Sequence, residues 1–110
     1  MISGLLTSTN LSLFCSMKDE IIKILKHNKE NLFNKYPLQS MALFGSYASG
    51  NENEKSDVDI LVELNGTIGF DFLHLNYEIE DLLNKKVDLI SKRGLKKEFM
   101  NAIQSELIYV

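Results

Sequence analysis

The spacing of apolar residues predicts three helices along the chain. From about 18 to 34, isoleucine, leucine and phenylalanine recur every three or four positions among lysines and glutamates, and Tyr36-Pro37 then ends the pattern. The same period returns at about 70–84 and again at 93–106. Each stretch has one apolar stripe, so we expect amphipathic helices that pack on a common core.

Shorter apolar runs between these helices predict strands, at about 39–44, 57–64 and 87–91. The end of the chain, 107–110, is apolar as well, and it predicts an edge strand or a segment that docks on a partner. Because a strand turns alternate side chains to opposite faces, polar residues at every second position of these runs share a face.

The first two predicted strands are joined by a stretch that carries chemistry. Gly45-Ser46 ends the first run, and a short helical turn beginning at Ser46 would leave backbone amides free for phosphate oxygens. Asp57 and Asp59 open the second run with one residue between them, so their side chains point the same way. Two carboxylates this close are unfavourable unless a cation such as Mg²⁺ neutralises them. The stretch therefore predicts cation ligands opposite a phosphate pocket.

Each half of this motif also has a simpler interpretation. A Gly-Ser pair after a strand is commonly a turn or a helix N-cap, and Asp-x-Asp at a strand start is commonly a solvated edge. The combination is more specific, because ten residues separate Ser46 from Asp57. This spacing resembles the signature of the nucleotidyltransferase superfamily headed by DNA polymerase beta. The chain is similar to the small single-domain branch, the minimal nucleotidyltransferases (MNT), over about 17–110.

This resemblance implies a fold and a set of site residues. The fold is a single small α+β domain of the polymerase beta palm type, with a mixed three- to four-stranded sheet and helices packed on one face. Gly45 and Ser46 would bind the phosphates of ATP, while Asp57 and Asp59 would hold Mg²⁺. In the family a third aspartate on a neighbouring strand completes an acidic triad, and Asp88 matches it. We expect two Mg²⁺ ions on the three aspartates and nucleotidyl transfer with pyrophosphate as the leaving group.

The order of the predicted elements is consistent with this role for Asp88. A crossover through the helix at 70–84 can return the chain beside the strand that carries Asp59, which would bring Asp88 to the same face. A solvated strand carboxylate is the alternative interpretation of Asp88.

The resemblance also implies a partner. Many MNT proteins are antitoxins paired with HEPN-domain ribonucleases, and the acceptor would be a tyrosine of the cognate HEPN toxin, which AMPylation from ATP disarms. One position departs from the common family pattern Gly-Ser-x-Ala-Arg-Gly, since Ser49 stands in place of the arginine. Serine cannot supply the fixed positive fork of arginine. Triphosphate binding would weaken, or its positive charge would come from Lys55, Lys92 or Arg93.

Two other functions remain open on the sequence. An antitoxin with a weak or silent nucleotide site could neutralise its toxin by binding and covering it. A small-molecule nucleotidyltransferase of the aminoglycoside-modifying kind is the further alternative, and it would need a separate chain to form its acceptor pocket.

Composition restricts the partners and the compartment. The 110 residues are 25% charged and predict one soluble domain. The net charge of −3 argues against direct nucleic-acid binding, and no apolar run has the length of a membrane span. Cys15 is the single cysteine, which excludes an internal disulfide and favours the cytoplasm.

Residues 1–16 are uncharged and without helical period, so we expect a flexible extension before the domain at 17–110.

The remaining candidates have simpler interpretations. His27 and His74 have no partner at ligand spacing, and we expect surface histidines. The one concentrated basic patch consists of Lys92, Arg93, Lys96 and Lys97. It fits a solvated helix face, and it could also meet an acidic partner or the phosphates of a nucleotide.

Overall fold

A computed structural model describes residues 17–53, 55–66 and 68–110. The predicted extension, residues 1–16, lies outside the described residues. The prediction of a domain that begins near residue 17 therefore stays a prediction, although the first described helix does begin at Met17.

Helices and strands lie close to the positions predicted from the apolar pattern. The helices are α1 Met17–Lys35, α2 Gly45–Ser49, α3 Asp71–Leu83 and α4 Lys97–Ile103. The strands are β1 Leu38–Phe44, β2 Val58–Leu64, β3 Val87–Ser91 and β4 Ile108–Tyr109. Single 3₁₀ turns, Lys92–Gly94 and Gln104–Glu106, flank α4.

The prediction of one helix over 93–106 is wrong in extent. The chain forms a 3₁₀ turn that ends at Gly94, and Leu95 and Lys96 are extended, with ψ of 140° and 149°. Glycine is a poor helix former, so a continuous helix through this position is disfavoured. Only α4 is α-helical in this stretch, and the chain tightens into a second 3₁₀ turn before β4.

The strands form one mixed sheet in the order β3-β2-β1-β4. The central strands β1 and β2 are antiparallel, and β2 pairs with β3 in parallel. The C-terminal strand β4 pairs antiparallel with β1 at the edge, through Leu43 opposite Ile108. The predicted mixed sheet and the predicted edge strand at the chain end are thus confirmed.

The main core lies between the sheet and the two long helices. Three residues of α1 and three of α3 are buried in it, namely Ile21, Leu25, Leu32, Leu75, Ile79 and Leu83. They meet alternate strand residues, such as Ile60 and Val62 of β2. The other face of the sheet carries a smaller cluster of Phe44, Leu61 and Ile103, so α4 covers part of that face.

One polar contact ties α1 to α3 at the edge of the main core. The Tyr36 hydroxyl donates a hydrogen bond to Glu78 Oε1 over 2.8 Å, and Lys35 Nζ lies 2.9 Å from Glu78 Oε2. Among the described helices, none has the length and apolar character needed to cross a lipid bilayer.

Candidate active site

Gly45 lies where β1 ends and α2 begins, directly against an aspartate of the neighbouring strand. Its φ of +77° is in the left-handed region. A Cβ at this position would collide with the carboxylate of Asp59, contacting its Oδ2 and lying 2.9 Å from its Cγ. Only glycine therefore allows the backbone of this turn to lie so close to the carboxylate.

The strand pairing brings two of the predicted aspartates, Asp59 and Asp88, side by side. In the parallel pair of β2 and β3, Asp59 lies opposite Asp88. In the antiparallel pair of β1 and β2, Asp59 lies opposite Phe44, the residue before Gly45. Asp57 is exposed just before β2, so the strand begins one residue later than predicted. Asp59 is partly buried at the centre of this group, whereas Asp88 is exposed.

The electrostatics of Asp59 reflect its crowded position. Burial raises the pKa of the Asp59 carboxyl from 3.8 to about 6, and the charges of Asp88, Asp57 and Glu106 add to this shift. Near neutral pH the site therefore collects negative charge at a cost in free energy. A bound cation would remove that cost.

The donor set fits a hard divalent cation. All three predicted ligands are carboxylates, and Mg²⁺ prefers such oxygen ligands. Within the described parts of the chain, no three His, Cys, Asp or Glu side chains lie close enough together to form a ready-made metal site. Mg²⁺ is usually held by one or two carboxylates plus substrate phosphates, so an incomplete set of protein ligands is consistent with a nucleotide that completes it.

Glu106 is a site residue that the sequence analysis missed. The Gly45 N–H donates a hydrogen bond to Glu106 Oε1 over 3.1 Å, and the negative charge of Glu106 helps to raise the pKa of Asp59. The contact joins residues 61 positions apart through the 3₁₀ turn before β4. No local pattern around Glu106 marks it, because its position depends on how the chain returns to β1.

Helix α2 carries the predicted phosphate-binding residue Ser46 and the unusual Ser49. Its N-cap residue, Phe44, provides no side-chain hydrogen bond to the first turn. Ser49 is exposed, donates its Oγ–H to the Ser46 carbonyl oxygen over 3.2 Å, and accepts a hydrogen bond from Asn51 Nδ2 over 3.2 Å. The Ser49 side chain is therefore held by its own turn and offers no positive charge.

Comparison with known proteins agrees with this geometry. The model of the nucleotidyltransferase domain family matches residues 18–110. The chain belongs to this family. A Methanocaldococcus jannaschii relative, provisionally named a protein adenylyltransferase, is 44% identical over 93 residues, which cover 83% of this chain and 95% of the relative.

Three further comparisons concern this nucleotidyltransferase domain. The protein adenylyltransferase MntA of Thermococcus cleftensis is 36% identical over 93 residues, covering 84% of this chain and 94% of its own. A crystal structure of a toxin-antitoxin with AMP-PNP has a TM-score of 0.62 and 27% identity, covering 84% of this chain and 70% of the other. A solved structure described as a minimal nucleotidyltransferase has a TM-score of 0.65 and 30% identity, covering 78% of this chain and 92% of its own, so the α+β fold is the minimal nucleotidyltransferase fold that the sequence predicts.

The nucleotidyltransferase domain has a lysine-rich cavity next to Asp57 that the sequence analysis did not predict. It measures about 300 Å³ and lies between α2, the loop before β2 and the turn before β3. It is lined by Tyr47, Lys55, Ser56, Asp57, Asn84, Lys85 and Lys86. We call this space the lysine cavity.

Lys92, the first residue of the basic patch predicted at 92–97, lies away from Asp59, and the two histidines lie on helix surfaces. Lys92 Nζ is 3.6 Å from Glu63 Oε1, near the opposite end of β2 from Asp59. His27 is exposed on α1, and His74 is exposed on α3 with its Nδ1 3.6 Å from Asp71 Oδ1. Both are surface histidines, as expected.

Proposed function

We propose that this protein is an Mg²⁺-dependent protein adenylyltransferase that acts as an antitoxin. It transfers AMP from ATP to a tyrosine of a cognate HEPN ribonuclease toxin. The observation that carries the proposal is the pairing of Asp59 with Asp88 directly against Gly45. Such an arrangement supports the proposal, because carboxylates suit Mg²⁺ and a glycine turn suits phosphate.

The relatives support the choice of donor and partner. The Thermococcus cleftensis relative is named a protein adenylyltransferase, which indicates AMP as the transferred group and a protein as the acceptor. The similar crystal structure is a toxin-antitoxin with AMP-PNP, an ATP analogue, which indicates both the donor and the kind of partner. The tyrosine acceptor and the HEPN partner come from the family resemblance of the sequence motif.

The reaction replaces one bond at the α-phosphorus of ATP. The tyrosine oxygen forms a bond to the α-phosphorus, the bond to the bridging oxygen of the β-phosphate breaks, and pyrophosphate leaves. Asp88 would take the phenolic proton, the Ser46 amide would hold a phosphate oxygen, and the Gly45 amide would do so once its hydrogen bond to Glu106 is released. Asp57, Asp59 and Asp88 would hold Mg²⁺, which would supply charge neutralisation for the triphosphate. The remaining work of the chain is to position the two reactants.

The proposal is tested by intact-mass spectrometry. The purified protein and the protein encoded by its neighbouring gene are incubated with Mg²⁺ and each nucleoside triphosphate in turn. We expect the partner to gain one or more AMP groups from ATP, on a tyrosine that peptide mapping identifies. An unmodified partner beside a competent control enzyme would contradict the proposal.

Matched variants test whether the activity depends on Asp57, Asp59 and Asp88, which we call the acidic group. The double variant Asp57→Asn with Asp59→Asn should abolish the mass gain. Asp81→Asn removes one carboxylate from the exposed surface of α3 and should leave the mass gain intact. Equal activity of all three proteins would mean that the modification comes from a contaminating enzyme.

Ser49 favours a second candidate, an antitoxin that neutralises its toxin by covering it. Its side chain is bound within its own turn and brings no charge to the triphosphate. Coexpression in cells separates the two candidates. If the Asp57→Asn and Asp59→Asn double variant still protects cells from the toxin, neutralisation works by binding. If protection is lost while the complex still forms, neutralisation is enzymatic.

A further inference from the structure

A triphosphate needs positive charge that α2 does not supply. Ser49 occupies the position at which the family pattern has arginine, and its hydroxyl is bound to Ser46 and Asn51. The aspartates add repulsion, because the charges of Asp57 and Asp88 both act on Asp59. Binding of a polyanion therefore depends on cations from elsewhere in the chain.

Two cations of the basic patch at 92–97, Lys92 and Arg93, lie elsewhere. Lys92 reaches Glu63, which lies four residues beyond Asp59 on β2. At the usual rise of a strand this separation is about 13 Å. Arg93 lines a different cavity, together with Gly66 and Phe72.

The lysine cavity lies at the correct end of the sheet. Lys86 immediately precedes β3, and its carbonyl oxygen accepts a hydrogen bond from the Val58 N–H over 2.9 Å. Val58 is the residue that separates Asp57 from Asp59. The backbone thus fixes Lys86 beside the acidic group, and Asp57 itself lines the cavity.

Local contacts hold the other two lysines at the cavity. Lys85 follows Asn84, which ends α3 in the left-handed conformation with φ of 54°, and Lys85 Nζ lies 5.8 Å above the ring centre of Tyr47. Lys55 lies in a turn in which its N–H donates to Asn53 Oδ1 over 2.8 Å. The three lysines that line the cavity therefore come from two separate segments of the chain.

We propose that the lysine cavity binds the β- and γ-phosphates of the nucleotide donor, and then the pyrophosphate that leaves. Lys55, Lys85 and Lys86 supply the positive charge that Ser49 lacks, while the α-phosphate lies beside Asp57 and Asp59. This assignment rests on the proposed nucleotidyl transfer for the identity of the polyanion.

The lining of the cavity favours phosphate over a nucleobase. Tyr47 is only 3% exposed, and Lys85 lies over its ring, so the cavity offers no open aromatic face for stacking. Ammonium groups, the Asn84 amide and the Ser56 hydroxyl are instead donors for phosphate oxygens. Lysine binds phosphate as a point charge and needs no planar partner.

The experiment is calorimetric titration of the full chain with pyrophosphate and, separately, with AMP-PNP, both in the presence of Mg²⁺. The variant Lys85→Gln with Lys86→Gln should bind both probes at least about tenfold more weakly. Lys26→Gln removes one lysine charge from the exposed surface of α1 and should change affinity less than about twofold. Wild-type affinity in the double variant would overturn the assignment.

A conservative variant separates binding from folding. Lys85→Arg with Lys86→Arg keeps both charges and should retain most of the affinity for pyrophosphate, since the cavity is open to both cations. If the glutamine and arginine variants lose affinity equally while their thermal unfolding matches the wild type, the lysines contribute through their size and not their charge. The proposal that their charge binds the phosphates would then be wrong.

The inference and the proposed function fail in different ways. If the wild type modifies its partner and the glutamine variant binds AMP-PNP normally, the lysine cavity is not the phosphate site and the transferase proposal stands. If the glutamine variant loses affinity for pyrophosphate but the wild type transfers no AMP to any partner, the anion site stands and the transferase proposal fails.

Discussion

At the scale of single residues, the main feature of the candidate site is the close contact between the Gly45 backbone and the Asp59 carboxylate. Gly45 has no side chain, so the turn that begins α2 can lie against Asp59. Asp59 in turn is crowded by Asp57 and Asp88, and its pKa rises to about 6 mainly through burial. Both features are unfavourable for folding by themselves, which is typical of residues selected for chemistry.

Replacement of Gly45 by alanine should be strongly destabilising. The new Cβ would meet the Asp59 side chain and would also be strained at φ of +77°. We expect a loss of about 3 kcal/mol in the free energy of unfolding, measured by urea denaturation. Gly50→Ala is the matched control, because Gly50 has φ of +82° with no atom within 4 Å of the added Cβ. It should cost only about 1 kcal/mol, and equal losses would contradict the close approach.

Replacement of Asp59 by asparagine should stabilise the metal-free protein at neutral pH. The folded-state pKa of about 6 exceeds the ordinary 3.8, so the protonated form is favoured in the fold. That contribution to stability is present below pH 3.8 and is lost as the pH rises through about 6. Because asparagine stays neutral, we expect a gain on the order of 1 kcal/mol at pH 7, since partial exposure reduces the full effect.

The pH dependence of this gain distinguishes charge from packing. The difference between Asp59→Asn and the wild type should vanish near pH 3.5, where both side chains are neutral in the fold. The control Asp81→Asn, on the exposed surface of α3, should match the wild type at both pH values. A loss of stability at pH 7 in Asp59→Asn would show that the carboxylate has a structural role.

At the scale of helices and strands, the spacing of apolar residues predicted the elements whose formation depends on neighbouring residues in the sequence. The apolar spacing of Ile21, Leu25 and Leu32 marks α1, and all three residues are buried. Alternation in β2 likewise predicted that Asp57 and Asp59 share a face. The third aspartate needed the register of β2 with β3, which sequence alone leaves open, and the pairing of Asp59 with Asp88 supplies it.

The failures of prediction occur where distant parts of the chain decide the outcome. Glu106 reaches the Gly45 N–H only because β4 returns to the edge of β1. Lys85 and Lys86 join Lys55 at one cavity because the start of β3 lies beside the start of β2. The interrupted helix near Gly94 has a local cause. The prediction followed the regular apolar stripe and gave too little weight to glycine, which is a poor helix former.

The contact between α1 and α3 predicts a stability optimum at intermediate pH. Hydrogen bonding to Lys35 lowers the pKa of Glu78 below its ordinary 4.5, so this stabilisation is present above pH 4.5 and is lost as the pH falls. Burial, aided by Glu78, raises the pKa of Tyr36 from 10.0 to about 12, so stability also falls as the pH rises from 10 to 12. Urea denaturation across this pH range measures both the loss of stability in acid, the acid limb, and the loss in alkali, the alkaline limb.

Variants of this contact separate the two limbs. Glu78→Gln should remove most of the acid limb and keep part of the alkaline limb, because burial of Tyr36 persists. Its cost near pH 7 should be about 1 kcal/mol. Glu30→Gln, on the exposed face of α1, is the control and should leave both limbs unchanged. If Glu78→Gln keeps the wild-type acid limb, other carboxylates cause it.

At the scale of the whole molecule, packing and chemistry are divided between the two faces of one sheet. The long helices α1 and α3 bury the larger core on one face. The other face combines a small cluster around Phe44 and Leu61 with the acidic group at the ends of β2 and β3. Since most apolar burial lies on the first face, the second can carry mutually repelling carboxylates and the fold still forms.

The division of the two faces predicts that Mg²⁺ and nucleotide stabilise the protein only together. If the site is as proposed, a nucleotide alone would bring negative charge to Asp57, Asp59 and Asp88, whereas Mg²⁺ alone would lack the phosphate ligands that complete its coordination. With both present at about a hundred times the dissociation constant, the free energy of unfolding should rise by about 2.7 kcal/mol. Thermal unfolding with Mg²⁺, AMP-PNP, or both measures this dependence.

The same titration assigns the coupling to the carboxylates. The double variant Asp57→Asn with Asp59→Asn removes both the repulsion of the nucleotide and the proposed metal ligands, so the joint effect should fall to the sum of the separate effects. A joint effect that survives in this variant would place the metal on the nucleotide alone. Loss of the joint effect in this variant, together with its retention in Asp81→Asn, would place the metal between the nucleotide and the strands β2 and β3.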